Sequence, residues 1–298
     1  MNATSVKARL RNFAEKSGKT FQEVLLYYGI ERTIYRISVS EYTGHFTLKG
    51  GIFLYALFDR NYERATSDID LLATKISNST EEMKTVFQHI FAIEADDAIR
   101  YDLESISVKN IAEFKEYLGL NVSVFAYLDR TQIPVSIDVG FGDIVYPERI
   151  EMEFPVLLDM EAPRVYAYSV ESVIAEKLEA IVSNGMMNSR YKDFYDIFVL
   201  SKRYRFESMR LADAITETFS RRGTALSKET SALGDEFLAD SMHQTRWRSF
   251  VKKKKAMIPV QMDDAVSWLR AFIIPLIEMI EKNSVGNQIW QPEIGLWK

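Results

Sequence analysis

The stretch LKGGIFLYALFDRNYERATSDIDLL, residues 48–72, decides the reading of this chain. Two glycines, Gly50 and Gly51, follow a short apolar run, and two aspartates, Asp68 and Asp70, flank Ile69. Carboxylates near a hydrophobic core are costly unless a charge compensates them. Ile69, Leu71 and Leu72 bring the core close, so a divalent metal is the first candidate for that compensation. On a strand, residues i and i+2 point the same way, roughly 6.6 Å apart. The spacing therefore predicts Asp68 and Asp70 on one face of a strand over 68–73, with Ile69 and Leu71 turned into the core. Such a pair suits Mg²⁺, which takes one or two protein carboxylates and completes its shell with water and substrate phosphates.

Working outward, residues 46–49 read as a strand, Gly50-Gly51 as a turn and 52–60 as a helix. Glycine lets a phosphate approach the backbone, and a helix N-terminus offers free N–H groups. Lys49 adds a positive charge beside them. Residues 133–141 alternate, with Ile133, Val135, Ile137 and Val139 on one face and Ser136 and Asp138 on the other. If that strand lies beside 68–73, the three acids form one cluster, able to hold two metals ~3.5–4 Å apart. A lone D-x-D is an ordinary surface strand and a lone G-G an ordinary turn; the signal is their order. Gly140-Phe-Gly142 is a strand-end turn rather than a dinucleotide fingerprint.

Composition narrows the chemistry. The absence of cysteine excludes disulfides and thiolate sites, and the scattered His45, His89 and His243 argue against zinc. No apolar run reaches the ~20 residues that span a bilayer; the richest, 271–280, holds Pro275 and Glu278. With no signal peptide visible, a cytoplasmic location is expected. Residues 201–298 carry 16 Lys and Arg against 12 Asp and Glu, a net of +4, which leaves −9 on residues 1–200. An acidic front and a basic back suit a metal site joined to a surface for an anionic partner, or simply two solvated faces.

Helices are predicted over 6–16, over 21–38 behind the capping box Thr20-x-x-Glu23, and from Ser79-x-x-Glu82 to about 93. Strands are predicted over 103–111, 120–128 and 133–141. Pro147, Pro155 and Pro163 mark an irregular crossing, and from about 169 the pattern is helical. Mixed elements followed by helices alone imply an α/β or α+β domain over 1–160 and a helical domain over 161–298.

Two later helices carry unusual charges. Over 170–181, Lys177 falls in the apolar stripe between Val173 and Ile181. It reads either as a snorkelling lysine or as one aimed at the acids or a bound triphosphate. Over 190–200, Lys192, Asp193 and Asp196 sit among Phe194, Tyr195, Ile197 and Phe198. Lys192 and Asp196 have the i, i+4 spacing of an intrahelical salt bridge. Finally Arg246-Trp-Arg248-Ser-Phe-Val-Lys252-Lys253-Lys254-Lys255 interleaves aromatics with charge, as an RNA-binding face or a solvated basic helix would.

Taken in order, LKGG, TSDIDLL, IDVGFGD, EKLEAI and RYKDFYDI resemble the AbiEii-type nucleotidyltransferase toxins of abortive-infection toxin–antitoxin systems, within the nucleotidyltransferase superfamily. Sixteen residues separate Gly51 from Asp68, more than is usual in the superfamily, and Gly51 replaces a serine; both departures fit this branch. The resemblance implies an α+β fold, a mixed sheet backed by helices and followed by a mainly helical part. It also implies a phage-defence toxin encoded beside an antitoxin. Its expected reaction is Mg²⁺-dependent transfer from an NTP (GTP or a pyrimidine NTP) to an acceptor, foremost a tRNA 3′ end. Asp68, Asp70 and Asp138 would hold one or two metals, Asp138 standing at a third-acid position that varies in this branch. Lys49, Gly50, Gly51, Ser67, Lys192 and Asp193 would bind nucleotide. Lys177 would neutralise triphosphate charge, and Asp138 or Asp196 would assist the attacking hydroxyl. Lys177→Ala is then expected to stop transfer and leave the fold intact. A protein acceptor stays open, and the rival reading is a GTP-binding toxin that transfers nothing and acts by sequestration or docking.

Overall fold

The computed structural model describes residues 1–62, 66–111, 119–253 and 258–298, which form two compact units. The first comprises Met1–Gly142 and Ile150–Ala167, the second Asp143–Arg149 and Tyr168–Lys298. Against a single cut at 160, the first unit keeps residues 161–167 and the second takes 143–149.

In the first unit, α1 (Ala3–Ser17) and α2 (Phe21–Val39) precede β1 (Phe46–Lys49) and α3 (Gly50–Leu57). Then come β2 (Ile69–Ala73), α4 (Thr80–Ala92), β3 (Ile99–Ile111), β4 (Gly119–Leu128) and β5 (Thr131–Phe141). The unit ends with β6 (Ile150–Glu153) and β7 (Arg164–Ala167). Among the described residues seven strands form one mixed sheet in the order β3-β4-β5-β2-β1-β7-β6. β2 runs parallel to β5 and β1 to β7, and the other neighbours are antiparallel. β6 and β7 occupy the crossing predicted to be irregular. Each alternates in burial but is only four residues long, too brief a run to mark a strand between prolines.

Alternation decides which face of the sheet is covered. Ile133, Val135, Ile137 and Val139 of β5 and Leu120, Val122, Val124, Ala126 and Leu128 of β4 are buried. Gln132, Pro134, Asn121, Ser123 and Phe125 point the other way and are exposed or half-buried. α2 packs on the buried side, so closely that a β-carbon on Gly29 would come within 2.7 Å of Ile133 Cγ2. The predicted box opens this helix: Glu23 N–H donates to Thr20 Oγ1 at 3.2 Å and Thr20 N–H to Glu23 Oε2 at 2.8 Å. At α4 only half of the predicted box forms in the bonds described, with Ser79 Oγ accepting from Glu82 N–H.

α2 buries charge as well as apolar surface. Arg36 forks onto Asp97 at 2.6 and 3.2 Å and donates to the Ile93 and Ile99 carbonyls. Glu31 lies against Arg32 Nε at 3.1 Å and accepts from Leu157 N–H at 2.7 Å. Burial pushes the Glu31 carboxyl from 4.5 up to about 7, against the pull of Arg32. The folded chain thus holds a proton the unfolded chain has lost between those values, and this group's contribution to stability falls as pH rises from 4.5 towards 7. The Glu31→Gln chain has no such titration. Its melting temperature relative to the native chain should climb across that window, and a constant difference would contradict the assignment.

The second unit is helical: α5 (Val170–Asn184), α6 (Tyr191–Arg203), α7 (Ser208–Arg221), α8 (Asp235–Ala239), α9 (Ser241–Lys253) and α10 (Met262–Glu281). A two-stranded ribbon, β8 (Trp290–Gln291) and β9 (Leu296–Trp297), closes it. Trp290 is fully buried there and donates to the Ser201 carbonyl at 2.7 Å. The segment 143–149 joins this unit through Arg222, which bonds Asp143 at 3.0 Å and Glu179 at 3.0 Å. Tyr146 adds bonds to Ser169 and Ser172.

Candidate active site

In the first unit a single row of register partners crosses five strands: Lys49 on β1, Asp70 on β2, Asp138 on β5, Asn121 on β4 and Lys109 on β3. Directly opposed residues share a face, and this is the face that β5 and β4 leave uncovered. The next row holds Ser136, Ser123 and Ser107. Asp138 is fixed by Asn121, whose Nδ2 donates to Asp138 Oδ1 at 2.7 Å and to Ser136 Oγ at 2.9 Å. Asp68 stands one residue before β2, where its Oδ2 accepts from Ser67 Oγ at 3.0 Å.

The glycines are tied to the acids. Gly50 has φ +65, a left-handed turn that swings the chain from β1 into α3. A β-carbon there would also collide with the Asp70 carboxylate. Gly51 N–H donates to Asp70 Oδ2 at 3.3 Å, so this carboxylate lies at the N-terminus of α3. The glycine pair, expected as a turn before the helix, forms the helix's first two residues. Gly50→Ala should cost about 1–3 kcal/mol in backbone strain alone and should push Asp70 out of place. A urea midpoint equal to that of the native chain would contradict this.

The expected cluster of three acids is narrower than the spacing implied. Asp70 and Asp138 are neighbours by register, but among the described residues no three acids or histidines gather closely enough to hold a metal by themselves. The donor set still suits Mg²⁺, which needs one or two protein carboxylates when phosphates complete its shell. Asp70 and Asp138 offer hard oxygens on rigid adjacent strands, and Asp68 precedes Asp70 by two residues.

In the second unit, Lys177 on α5 reaches Asp193 Oδ1 at 2.9 Å and Asp196 Oδ2 at 2.6 Å, both on α6. Arg190 Nε holds the other oxygen of Asp193 at 2.6 Å. Lys177 is 11% exposed and the two aspartates are buried, so its head does not snorkel freely into solvent. Burial would raise the Asp193 carboxyl, but Lys177 and Arg190 outweigh it and hold it at about 2. Asp196, expected as an alternative base, is fully buried and paired with Lys177. Lys192 is exposed on α6.

Arg246, Arg248 and Lys252 are exposed on α9, which Lys253 ends; Lys254 and Lys255 lie outside the described residues. The aromatic half of the RNA-binding expectation is corrected here. Trp247 is 1% exposed and donates to the Val260 carbonyl at 3.0 Å, and Phe250 packs edge-on against Tyr195 at 5.8 Å. Trp247 is a core group with no face left for a base.

A family model described as the nucleotidyl transferase AbiEii toxin of type IV toxin–antitoxin systems matches residues 32–269. The chain belongs to the AbiEii family. It is therefore a nucleotidyltransferase from the toxin side of such a system, with a nucleotide as substrate and an antitoxin as counterpart. The AbiEii match takes in both motif groups, from Lys49 to Asp70 and from Lys177 to Asp196. No curated protein matches the chain. Among solved structures, JHP933 from Helicobacter pylori is 14% identical with a TM-score of 0.45, covering 85% of this chain and 91% of that one. A second H. pylori structure, named provisionally as a nucleotidyltransferase, is 14% identical with a TM-score of 0.43, covering 87% and 95%. No helix among the described residues of this AbiEii chain is long and apolar enough to cross a membrane.

Two residues that the sequence reading gave no role, Asn121 and Arg190, join these groups, and Ser136, read only as sharing the Asp138 face, joins them through Asn121. Asn121 sat in the polar phase of a run whose alternation was legible, but its partner on β5 depended on register.

Proposed function

We infer that this AbiEii chain transfers a nucleoside monophosphate from an NTP, GTP or a pyrimidine NTP, to the 3′ end of an RNA, tRNA foremost. The observation that carries this reading is the register of Asp70 with Asp138, beside a glycine turn that only glycine can make. Asp70 and Asp138, with Asp68 beside them, would hold Mg²⁺, which when bound supplies positive charge against the triphosphate. Gly50, Gly51 and Lys49 receive phosphate oxygens at the start of α3, with Ser67 at the other edge of the acids. Asp138, oriented by Asn121, takes the proton of the acceptor hydroxyl. That oxygen bonds to the α-phosphorus, the α–β phosphoanhydride breaks and pyrophosphate leaves. Catalysis is by positioning and electrostatic stabilisation.

In the second unit we assign Lys177, Asp193 and Asp196 to a supporting ion cluster. Arg246, Arg248 and Lys252, with Lys253, Lys254 and Lys255, are assigned to RNA phosphates. NTP and RNA as reactants put the reaction in the cytoplasm. The test is incubation with each α-labelled NTP, Mg²⁺ and fractionated RNA or lysate protein. Label in the tRNA fraction is expected. Saturable GTP binding with no labelled product would replace the reading with sequestration, and label in protein would move the acceptor. EDTA should end incorporation, and its persistence would exclude a metal.

A further inference from the structure

A pocket of about 270 Å³ opens beside Asp68, lined by Ser123, Ser136, Phe125 and Pro134 from the uncovered sheet face and by Leu26 of α2. Three features give it a chemistry. Phe125 is 42% exposed although its strand neighbours Val124 and Ala126 are buried, and Pro134 is its register partner on β5. The two make an apolar shelf in the open, a platform of the kind on which a base stacks. Ser123 Oγ has no hydrogen-bond partner among the described residues, and Ser136 Oγ accepts from Asn121, the residue that holds Asp138. The volume is just under the ~300 Å³ of pockets that bury drug-sized ligands, which suits one nucleoside and not a length of polypeptide.

Strand order fixes the direction from which this ligand would enter. Gly50, Gly51 and Lys49 lie on the β1 side of Asp70, whereas Phe125, Pro134 and the serines of the pocket lie on the β5–β4 side, with Ser67 and Asp68 as the wall towards β2. In an in-line displacement the attacking and leaving oxygens stand on opposite sides of the phosphorus. With pyrophosphate leaving over the glycine turn, the attacking hydroxyl comes from the serine row.

We propose that this pocket is the acceptor subsite and that it takes the 3′-terminal nucleoside of an RNA. The base lies on Phe125 and Pro134, and a ribose hydroxyl bonds to Ser123 and Ser136. The proposal rests on the transferase reading only for the direction of attack; the pocket's occupancy by a nucleoside stands apart from it.

The test is binding, read without turnover. A fluorescent RNA hexanucleotide ending in 4-thiouridine is irradiated on the native chain, and its affinity is measured by anisotropy for the native and Phe125→Ala chains. In parallel the four NTPs with Mg²⁺ are titrated into both. Crosslinks to peptides covering 123–136 and an oligonucleotide affinity reduced about tenfold or more in Phe125→Ala are expected, with NTP affinity unchanged. Because Phe125 is exposed, equal melting temperatures should show that the variant folds. Crosslinks confined to other segments, or unaltered oligonucleotide affinity, overturn the proposal. A loss in NTP affinity instead makes the pocket the NTP's base site and likewise overturns it. If crosslinks and the Phe125 effect appear but no NTP is ever transferred, the subsite stands and the proposed reaction falls.

Discussion

An Asp70→Asn chain should fold and yet lose nucleotidyl transfer by about 10³-fold or more. The size follows from what the carboxylate does at its position. It is the register partner of Asp138 and lies at the first N–H groups of α3, where the triphosphate is to be received. An amide keeps the shape and can still accept from Gly51 N–H, but it gives up the negative charge that a cation requires. Removing one preorganised electrostatic group from a site of this kind costs ~10²–10³ in rate, and a metal ligand lies at the upper end. The cost in stability is small by comparison. Asp70 is half-buried, and losing one charge at a helix N-terminus is worth ~0.3–1 kcal/mol. Circular dichroism and a urea midpoint near those of the native chain, together with absent label transfer, are the expected pair of results. Transfer at the native rate would remove Asp70 from the chemistry.

The second large effect is on stability. Lys177→Met should destabilise the chain by ~3–5 kcal/mol, the usual cost of leaving buried charge without its partner. Two buried carboxylates, Asp193 and Asp196, pair with this one ammonium, and Arg190 also pairs with Asp193. Against a total of ~5–15 kcal/mol for a typical protein, that loss is close to unfolding. This stability cost stands against the expectation that Lys177→Ala stops transfer with the fold intact. Activity lost in that variant reports on folding unless the folded fraction is measured beside it. Lys177→Arg keeps the charge and is the better probe of any part in the reaction. Acid sharpens the test. The Asp193 carboxyl, held at about 2 against an ordinary 3.8, contributes stability that is full above 3.8 and lost as pH falls towards 2. Without Lys177 that carboxyl rises, so the acid limb of the Lys177→Met chain should begin at higher pH. Equal urea midpoints at pH 7 and superimposable acid limbs would mean the cluster carries no stability.

What the sequence made legible was whatever depends on neighbours along the chain. The strand before the glycine pair, the alternation of β5 and the box at Thr20 are local patterns, and they form over nearly the predicted residues. So does the burial of Ile69 and Leu71 opposite Asp70. What depends on pairing across space was legible only as a condition. The neighbourhood of Asp70 and Asp138 required β5 to lie beside β2, and Asn121 entered only with the register of β4. Lys177 shows the same limit. Its stripe was readable on α5, but the acids it meets belong to α6, so neither a free lysine head nor a pair confined to one helix described it. Trp247 misled for a related reason: its charged neighbours face solvent on α9 while the indole itself turns inward. The strands at 150–153 and 164–167 alternate over only four residues each, too brief a run to be read as strands between prolines.

The central claim is that Asp70, Asp138 and the glycine turn form one phosphoryl-transfer centre. Its most direct test uses one NTP labelled in turn at the α- and γ-phosphate, given with Mg²⁺ and RNA to the native and Asp138→Asn chains. The account predicts RNA labelled from the α position alone by the native chain, pyrophosphate released in equal amount, and neither product from Asp138→Asn. Label arriving from the γ position, or an Asp138→Asn chain as active as the native one, would contradict it.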